Sequence, residues 1–145
     1  MTSKLDDIRV ALENHLDTTP ATPAPALPSG IAWPNVPYTP TTGTAYLRAR
    51  FVPVTRRPVT AGPQAEQRHS GLFVVNVYTP EDQGAAAGVT LADKLCDRFE
   101  GSTSIVAAAV NVRLEYAEAK QPLHEPPFYV IPVEIGWYSY VSQGA

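Results

Sequence analysis

Five arginines crowd one stretch of the chain, and they are its most concentrated chemistry. Arg48, Arg50, Arg56, Arg57 and Arg68 stand against one acid, Glu66, a local charge of +4 in a chain whose net charge is −3. The remainder therefore carries −7. A basic block on an acidic body suits electrostatic docking to an acidic surface; a solvated loop is the plainer alternative. Tyr46 alternates with Arg48 and Arg50, a faint likeness to a platform for single-stranded nucleic acid. A nucleic-acid-binding domain is usually basic overall, and this chain is acidic, so sequence-specific DNA recognition is not expected.

Residue types that do covalent or metal chemistry are sparse. His15, His69 and His124 sit far apart, no two at ligand spacing, and the single cysteine, Cys96, cannot build a zinc site or an internal disulfide. The chain contains no G-x-S-x-G, no Walker A pattern, no dinucleotide glycine fingerprint and no H-E-x-x-H. Glu81 and Asp82 are adjacent carboxylates ahead of a helical pattern, where they are expected to favour the helix dipole rather than hold a metal. Glu115 and Glu118 read as exposed strand-end charges. The expectation is a protein that is not an enzyme and has no cofactor or metal.

The elements that would carry these residues follow from periodicity. At 145 residues, with 44% apolar and 17% charged positions, the chain reads as one domain, lightly charged for a soluble protein. Its 15 prolines are about twice the usual usage and imply long, proline-punctuated loops. No apolar run approaches the ~20 residues of a membrane span, and no signal-peptide pattern is visible, so residence in a reducing cytoplasm is expected.

Leu5, Ile8, Leu12 and Leu16 recur at helical spacing behind an N-cap signal at Ser3 and Asp6, which predicts a helix over 3–17. Residues 18–30 form an extended proline/alanine/threonine connection, followed by a short edge strand or ordered loop through Trp33 and Val36. Strict alternation predicts a strand over 44–54, with Leu47, Ala49 and Phe51 on one face and Tyr46, Arg48 and Arg50 on the other. A polar loop or hairpin arm over 55–69, expected to be flexible, leads to a second strand in which Phe73, Val75 and Val77 share a face.

Gly88, Leu91, Ala92, Leu95, Cys96 and Phe99 then predict a second helix, ended by Gly101. Strands over 105–116 and 128–141 complete the chain, and Pro132 argues for a sheet edge or bulge in the last. The connection through Pro122, Pro126 and Pro127 reads as too stiff for a tight two-residue turn. The expected fold class is α+β: one mostly antiparallel sheet with two helices on a face, in the order α-β-β-β-α-β-β.

One segment points to a family. His69-Ser-Gly-Leu-Phe-Val-Val-Asn-Val-Tyr-Thr-Pro80 leads through Glu81-Asp-Gln-Gly84 into Leu91-Ala-Asp-Lys-Leu95 and Phe99. A strand of the form G-x-x-x-V-x-V-Y-x-P, then a glycine-containing turn and a helix ending in Phe, resembles the bacteriophage tail terminators, the group of the phage lambda terminator. Gly71, Val75, Val77, Tyr78, Pro80, Gly84 and Phe99 occupy those places, so the match is specific over 69–101 and architectural elsewhere. The resemblance implies a structural protein of the virion, at the head-proximal end of the tail, assembled in the host cytoplasm. It implies a homo-oligomeric ring, typically a hexamer, that caps the tube of tail-tube protein, stops its polymerisation and offers the head–tail connector protein an attachment surface. The resemblance further implies that DNA passes through the lumen without specific binding and that no membrane is involved. Within that picture Arg48, Arg50, Arg56, Arg57 and Arg68 are candidates for subunit or tube contacts. The alternatives are a head–tail connector or tail completion protein of the same fold, and a small hydrolase or ligand-binding module.

Overall fold

A computed structural model describes residues 4–17, 30–62, 66–82, 84–100, 104–107 and 110–142. The Ser3 cap, the proline-rich stretch over 18–29 and the Gly101 helix stop lie outside the described residues. Among the described residues, two helices and seven strands follow the chain as α1 (Lys4–Asp17), β1 (Ile31–Ala32), β2 (Tyr46–Pro58), β3 (Glu66–Pro80), α2 (Ala86–Arg98), β4 (Ser104–Ala107), β5 (Val110–Ala119), β6 (Leu123–Glu125) and β7 (Phe128–Ser142).

The helices form where the apolar stripes predict them. In α1, Ile8, Ala11, Leu12 and Leu16 are buried, Asp6 and Asp7 occupy the first turn, and Arg9 bridges exposed Asp6 and largely buried Glu13, both at 2.8 Å. In α2, Gly88 lets the helix settle on the sheet: a Cβ there would sit 3.0 Å from Ile131 Cδ1. The C-terminal ends of the two helices are tied reciprocally. His15 Nε2 bonds the Arg98 carbonyl at 2.8 Å, and Arg98 Nε donates to the His15 carbonyl at 2.9 Å. Each contact satisfies a carbonyl that a helix end would otherwise leave open.

One sheet runs in the order β1-β2-β3-β7-β5-β4, with β6 also on β7; all pairs are antiparallel except β1 with β2. Both helices cover one face, which we call inner. There Leu47, Ala49, Phe73, Val75, Val77, Val112, Ile135 and Trp137 meet Ile8, Leu12, Leu95 and Phe99 in the main core. A second, smaller cluster lies apart from it, around Ala32, Tyr46, Tyr78, Phe128 and Val130.

The alternation expected of the first two strands holds residue by residue, and three other expectations are corrected. Of the two readings of the polar segment over 55–69, the hairpin arm is the one that forms: β2 runs on to Pro58, β3 begins at Glu66, and Val59 N–H bonds the Glu66 carbonyl at 2.8 Å. The polar strands hold because β7 extends beside them to Ser142, supplying a third strand.

The single strand expected over 105–116 is two. β4 and β5 pair antiparallel, Ser104 with Arg113 and Ala107 with Val110, although no glycine, proline or asparagine marks the reversal. The observed order is therefore αβββαββββ. Pro126 and Pro127 do form a two-residue turn, joined by a cis peptide bond between the paired Glu125 and Phe128. A cis proline is the form that fits the third position of a tight turn.

Pro132 lies neither at a sheet edge nor at a bulge but in the interior strand β7. It is tolerated because β6 pairing ends at Val130 and β5 pairing begins at Val133, and the Pro132 carbonyl accepts from Lys120 N–H at 2.8 Å on that side. The missing N–H thus falls in the gap between two partner strands.

Candidate assembly interface

The five arginines all fall on β2 and β3, but the sheet sorts them differently from the sequence. Before residue 53 the even-numbered residues of β2 face away from the helices, which puts Arg48 and Arg50 on the outer face. A register shift between Pro53 and Thr55 then inserts one residue. Beyond it Arg57 pairs with Arg68 and joins the outer face, while Arg56 pairs with His69 and joins the inner one. A bulge re-aims side chains in this way, and counting by twos from Arg50 puts Arg56 and Arg57 on the wrong faces.

Their environments differ as well. The Arg48 guanidinium lies 6.0 Å from the centroids of both Tyr46 and Tyr78, whose rings stack at 4.4 Å. Bonding to the Tyr46 hydroxyl holds its pKa above the ordinary arginine value. Arg68 is anchored over the Tyr138 ring at 4.8 Å and approaches Glu115 at 3.8 Å. Among the described residues, no ion pair holds Arg50, Arg56 or Arg57, and all three are exposed. Exposed Val54 and Val59 lie beside them. The free charge is thus concentrated along the open side of β2.

Beside Arg48 and Arg50 lies a shallow cleft of about 600 Å³, walled by Trp33, Val36 and Asn76. Asn35, at φ 56, turns the chain after β1 so that this segment flanks the strand. Beyond Arg48, β2 has no strand on its far side among the described residues, since β1 pairs only Leu47 and Arg48.

Acidic groups collect at the other side of the sheet, where the expected strand-end charges Glu115 and Glu118 meet Glu134. Arg50, Val74, Glu134 and Glu118 stand in one row across β2, β3, β7 and β5. Tyr116 donates to Glu134 Oε1 at 2.8 Å, and that bond, helped by burial, pushes the phenol pKa up to about 12. Glu118 is half exposed and pairs with Lys120 at 2.6 Å; Glu115 occupies the irregularity between Leu114 and Tyr116. No sequence signal marked the row, because it exists only once the register of four strands is known.

The carboxylates expected at the α2 dipole are elsewhere. Glu81 bonds His124 Nε2 at 2.6 Å, Asp82 takes φ 64 in a turn, and no acid occupies the first turn of α2. Among the described residues no group of three His, Cys, Asp or Glu side chains is placed to hold a metal ion, and no helix is long and apolar enough to cross a membrane.

His69 sits beneath this interface, 6% exposed between Arg56 and Ser139. Burial, and then the charge of Arg56, hold its pKa below 6.5. Above pH ~6.5 the ring is neutral in both folded and unfolded chains. Below that, the unfolded chain takes up a proton that the folded one resists. Stability is therefore expected to fall as the pH drops from about 6.5 toward the depressed folded value, and to level off beneath it. His69→Gln should flatten that slope in urea unfolding measured from pH 7.5 to 5; an unaltered slope would assign it to other groups.

The sequence model of a family described as phage tail terminator protein matches residues 7–137. A solved protein structure is similar at 26% identity and a TM-score of 0.71, covering 97% of each chain. No curated protein matches.

Proposed function

The chain belongs to the phage tail terminator family, and from that membership we propose that it closes into a ring, typically a hexamer, on the end of the tail tube. There it stops addition of tube protein and presents its free face to the head–tail connector, while DNA crosses the lumen without specific contacts. The family is a structural one and makes the protein a virion component of the phage tail. The carrying observation is the family match across residues 7–137.

Two physical features support the reading. A subunit whose β2 beyond Arg48 and β5 beyond Arg113 have no strand on their far side among the described residues suits heterologous, head-to-tail contacts, which close when the rotation between copies completes a circle. Arg50, Arg56 and Arg57 have no ion pair among the described residues, so docking through them need not break one. We assign Arg48, Arg50, Arg56, Arg57 and Arg68 to subunit or tube contacts, Arg48 and Arg68 as ring-anchored members and the other three as the free ones.

The test is polymerisation of the cognate tube protein with and without this chain, with tube lengths measured by electron microscopy. Wild-type protein is expected to give capped tubes that stop growing. Arg56→Glu with Arg57→Glu should leave the circular dichroism spectrum intact and release the length control. Tubes that grow on equally with wild-type protein present would sink the terminator reading. Normal capping by the doubly reversed protein would remove the arm from it.

A further inference from the structure

Beside Arg48 the sheet has a strand position that begins and is then given up. β1 runs parallel to β2 only as far as Ala32, opposite Arg48. To pair one step further it would have to offer the N–H of residue 34, which is proline. Asn35, at φ 56, then turns the chain, and the segment stands off from β2 as one wall of the 600 Å³ cleft.

The backbone that faces this cleft is open. Leu47 N–H bonds the Gly30 carbonyl on the β1 side at 2.9 Å. By the alternation of an antiparallel strand, the N–H and carbonyl of Phe51 point the same way, and no described strand meets them. Pro53 is the next outward position and has no N–H. The open lane therefore runs from Ala49 to Val52, roughly 13 Å at about 3.3 Å per residue. An unpaired edge of this kind accepts an added strand, with main-chain bonds giving affinity and flanking side chains giving specificity.

The side chains around the lane set the charge of what fits. Arg48 and Arg50 line the cleft, and no carboxylate is among its described lining residues. The groups that act on Arg48 are Tyr46 and Tyr78, again without an acid. Arg50 is exposed and has no ion pair among the described residues. The first acid along its row is Glu134, two strands away at roughly 10 Å, and it already accepts from Tyr116. Trp33, packed against the main core, adds an apolar surface on the inner side.

We propose that this lane takes an extended acidic segment of another protein, added to β2 as a short strand, with its carboxylates on the Arg48–Arg50 face and an apolar residue between them toward Trp33. A second copy of this chain is the poorer fit. The sheet's other edge strand, β4, carries no acid, and residues 18–29 contain none. Glu115 and Glu118 on β5 are already met by Arg68 and Lys120. The inference deepens the assignment of Arg48 and Arg50 to assembly contacts and rests on it, naming the chemistry of the partner they meet.

Three capped peptides test it by nuclear magnetic resonance titration of the isotope-labelled full-length chain. Thr-Glu-Val-Glu-Thr is the acidic strand probe, Thr-Lys-Val-Lys-Thr reverses its charge, and Thr-Glu-Pro-Glu-Thr keeps the charge but removes a backbone donor. The acidic probe should shift the Phe51 amide and slow its hydrogen exchange, and added salt should weaken the binding. Arg50→Glu, folded by circular dichroism, should lower its affinity at least about 10-fold. Arg50→Gln is the gentler variant should the reversal perturb the fold, and it too should weaken binding.

The basic and proline probes should bind at least about 10-fold more weakly than the acidic one. Equal binding of the proline probe overturns strand addition; equal binding of the basic probe, or none by the acidic one, overturns the acidic partner. A Phe51 amide that shifts on dilution with no peptide present shows a second copy in the lane and overturns the choice of occupant. The titration contains no tube protein and needs no ring. A failure of capping in the tube assay is therefore told apart from a failure of this proposal.

Discussion

Gly71→Ala is expected to lower the melting temperature by about 10 °C. A Cβ at this position would lie 2.4 Å from the Val52 carbonyl oxygen, 2.8 Å from Pro53 Cα and 3.0 Å from Trp137 Cζ2. Two of those three atoms are backbone and cannot swing aside, so β2 and β3 must move apart. Overpacking of this kind costs about 3 kcal/mol, toward the upper end of its usual range. For a domain of this size each kcal/mol is worth roughly 3 °C. Gly43→Ala is the control. Gly43 has φ +89 with nothing within 4 Å of its Cβ position, so only the backbone penalty of about 1 kcal/mol remains. Calorimetry of the two variants should rank them in that order; equal shifts would mean that the strands separate freely at Gly71.

The position of Gly71 gives that prediction a functional side. It pairs with Pro53, the last residue before the bulge that brings Arg57 to the outer face. Forcing the strands apart there displaces the arm and its free arginines together. Gly71→Ala protein, kept below its lowered melting temperature, should therefore also assemble more weakly than wild type, whereas Gly43→Ala should not.

What the sequence made legible was whatever rests on local period. Leu47, Ala49, Phe73, Val75 and Val77 alternate strictly and all lie in the main core. Ile8, Leu12 and Leu16 keep helical spacing and do the same. The features that escaped depend on partners distant in sequence. Pro132 reads as an edge signal, yet it is accommodated by a gap between β5 and β6 that only the sheet creates. Residues 55–58 and 66–69 leave loop and hairpin arm both open because their polarity is high, and the third strand, β7, is what holds them as an arm. The arginine block was visible as charge, but its division between faces hangs on one inserted residue near Pro53. The acidic row was invisible for the same reason: Glu118 and Glu134 are neighbours in register alone.

Trp137 is the second position where a large effect is expected, and two substitutions there should separate packing from polarity. The side chain is fully buried, its ring stacked on Phe51 with centroids 5.5 Å apart at 11°. It is paired with Gly71 on one side and Leu114 on the other. Trp137→Ala empties the centre of the core and should cost about 3–5 kcal/mol. Yet the indole Nε1–H is buried with no hydrogen-bond partner among the described residues. A buried donor left unmade costs about 1–3 kcal/mol, so replacing the indole by a phenyl ring removes a penalty along with the volume. Trp137→Phe is therefore expected to cost about 1 kcal/mol or less, with the Phe51 stack retained. Urea midpoints at unchanged m-value measure both. If phenylalanine proved as damaging as alanine, the indole nitrogen would have a partner in solution, and the orphaned donor would not be a feature of the folded core.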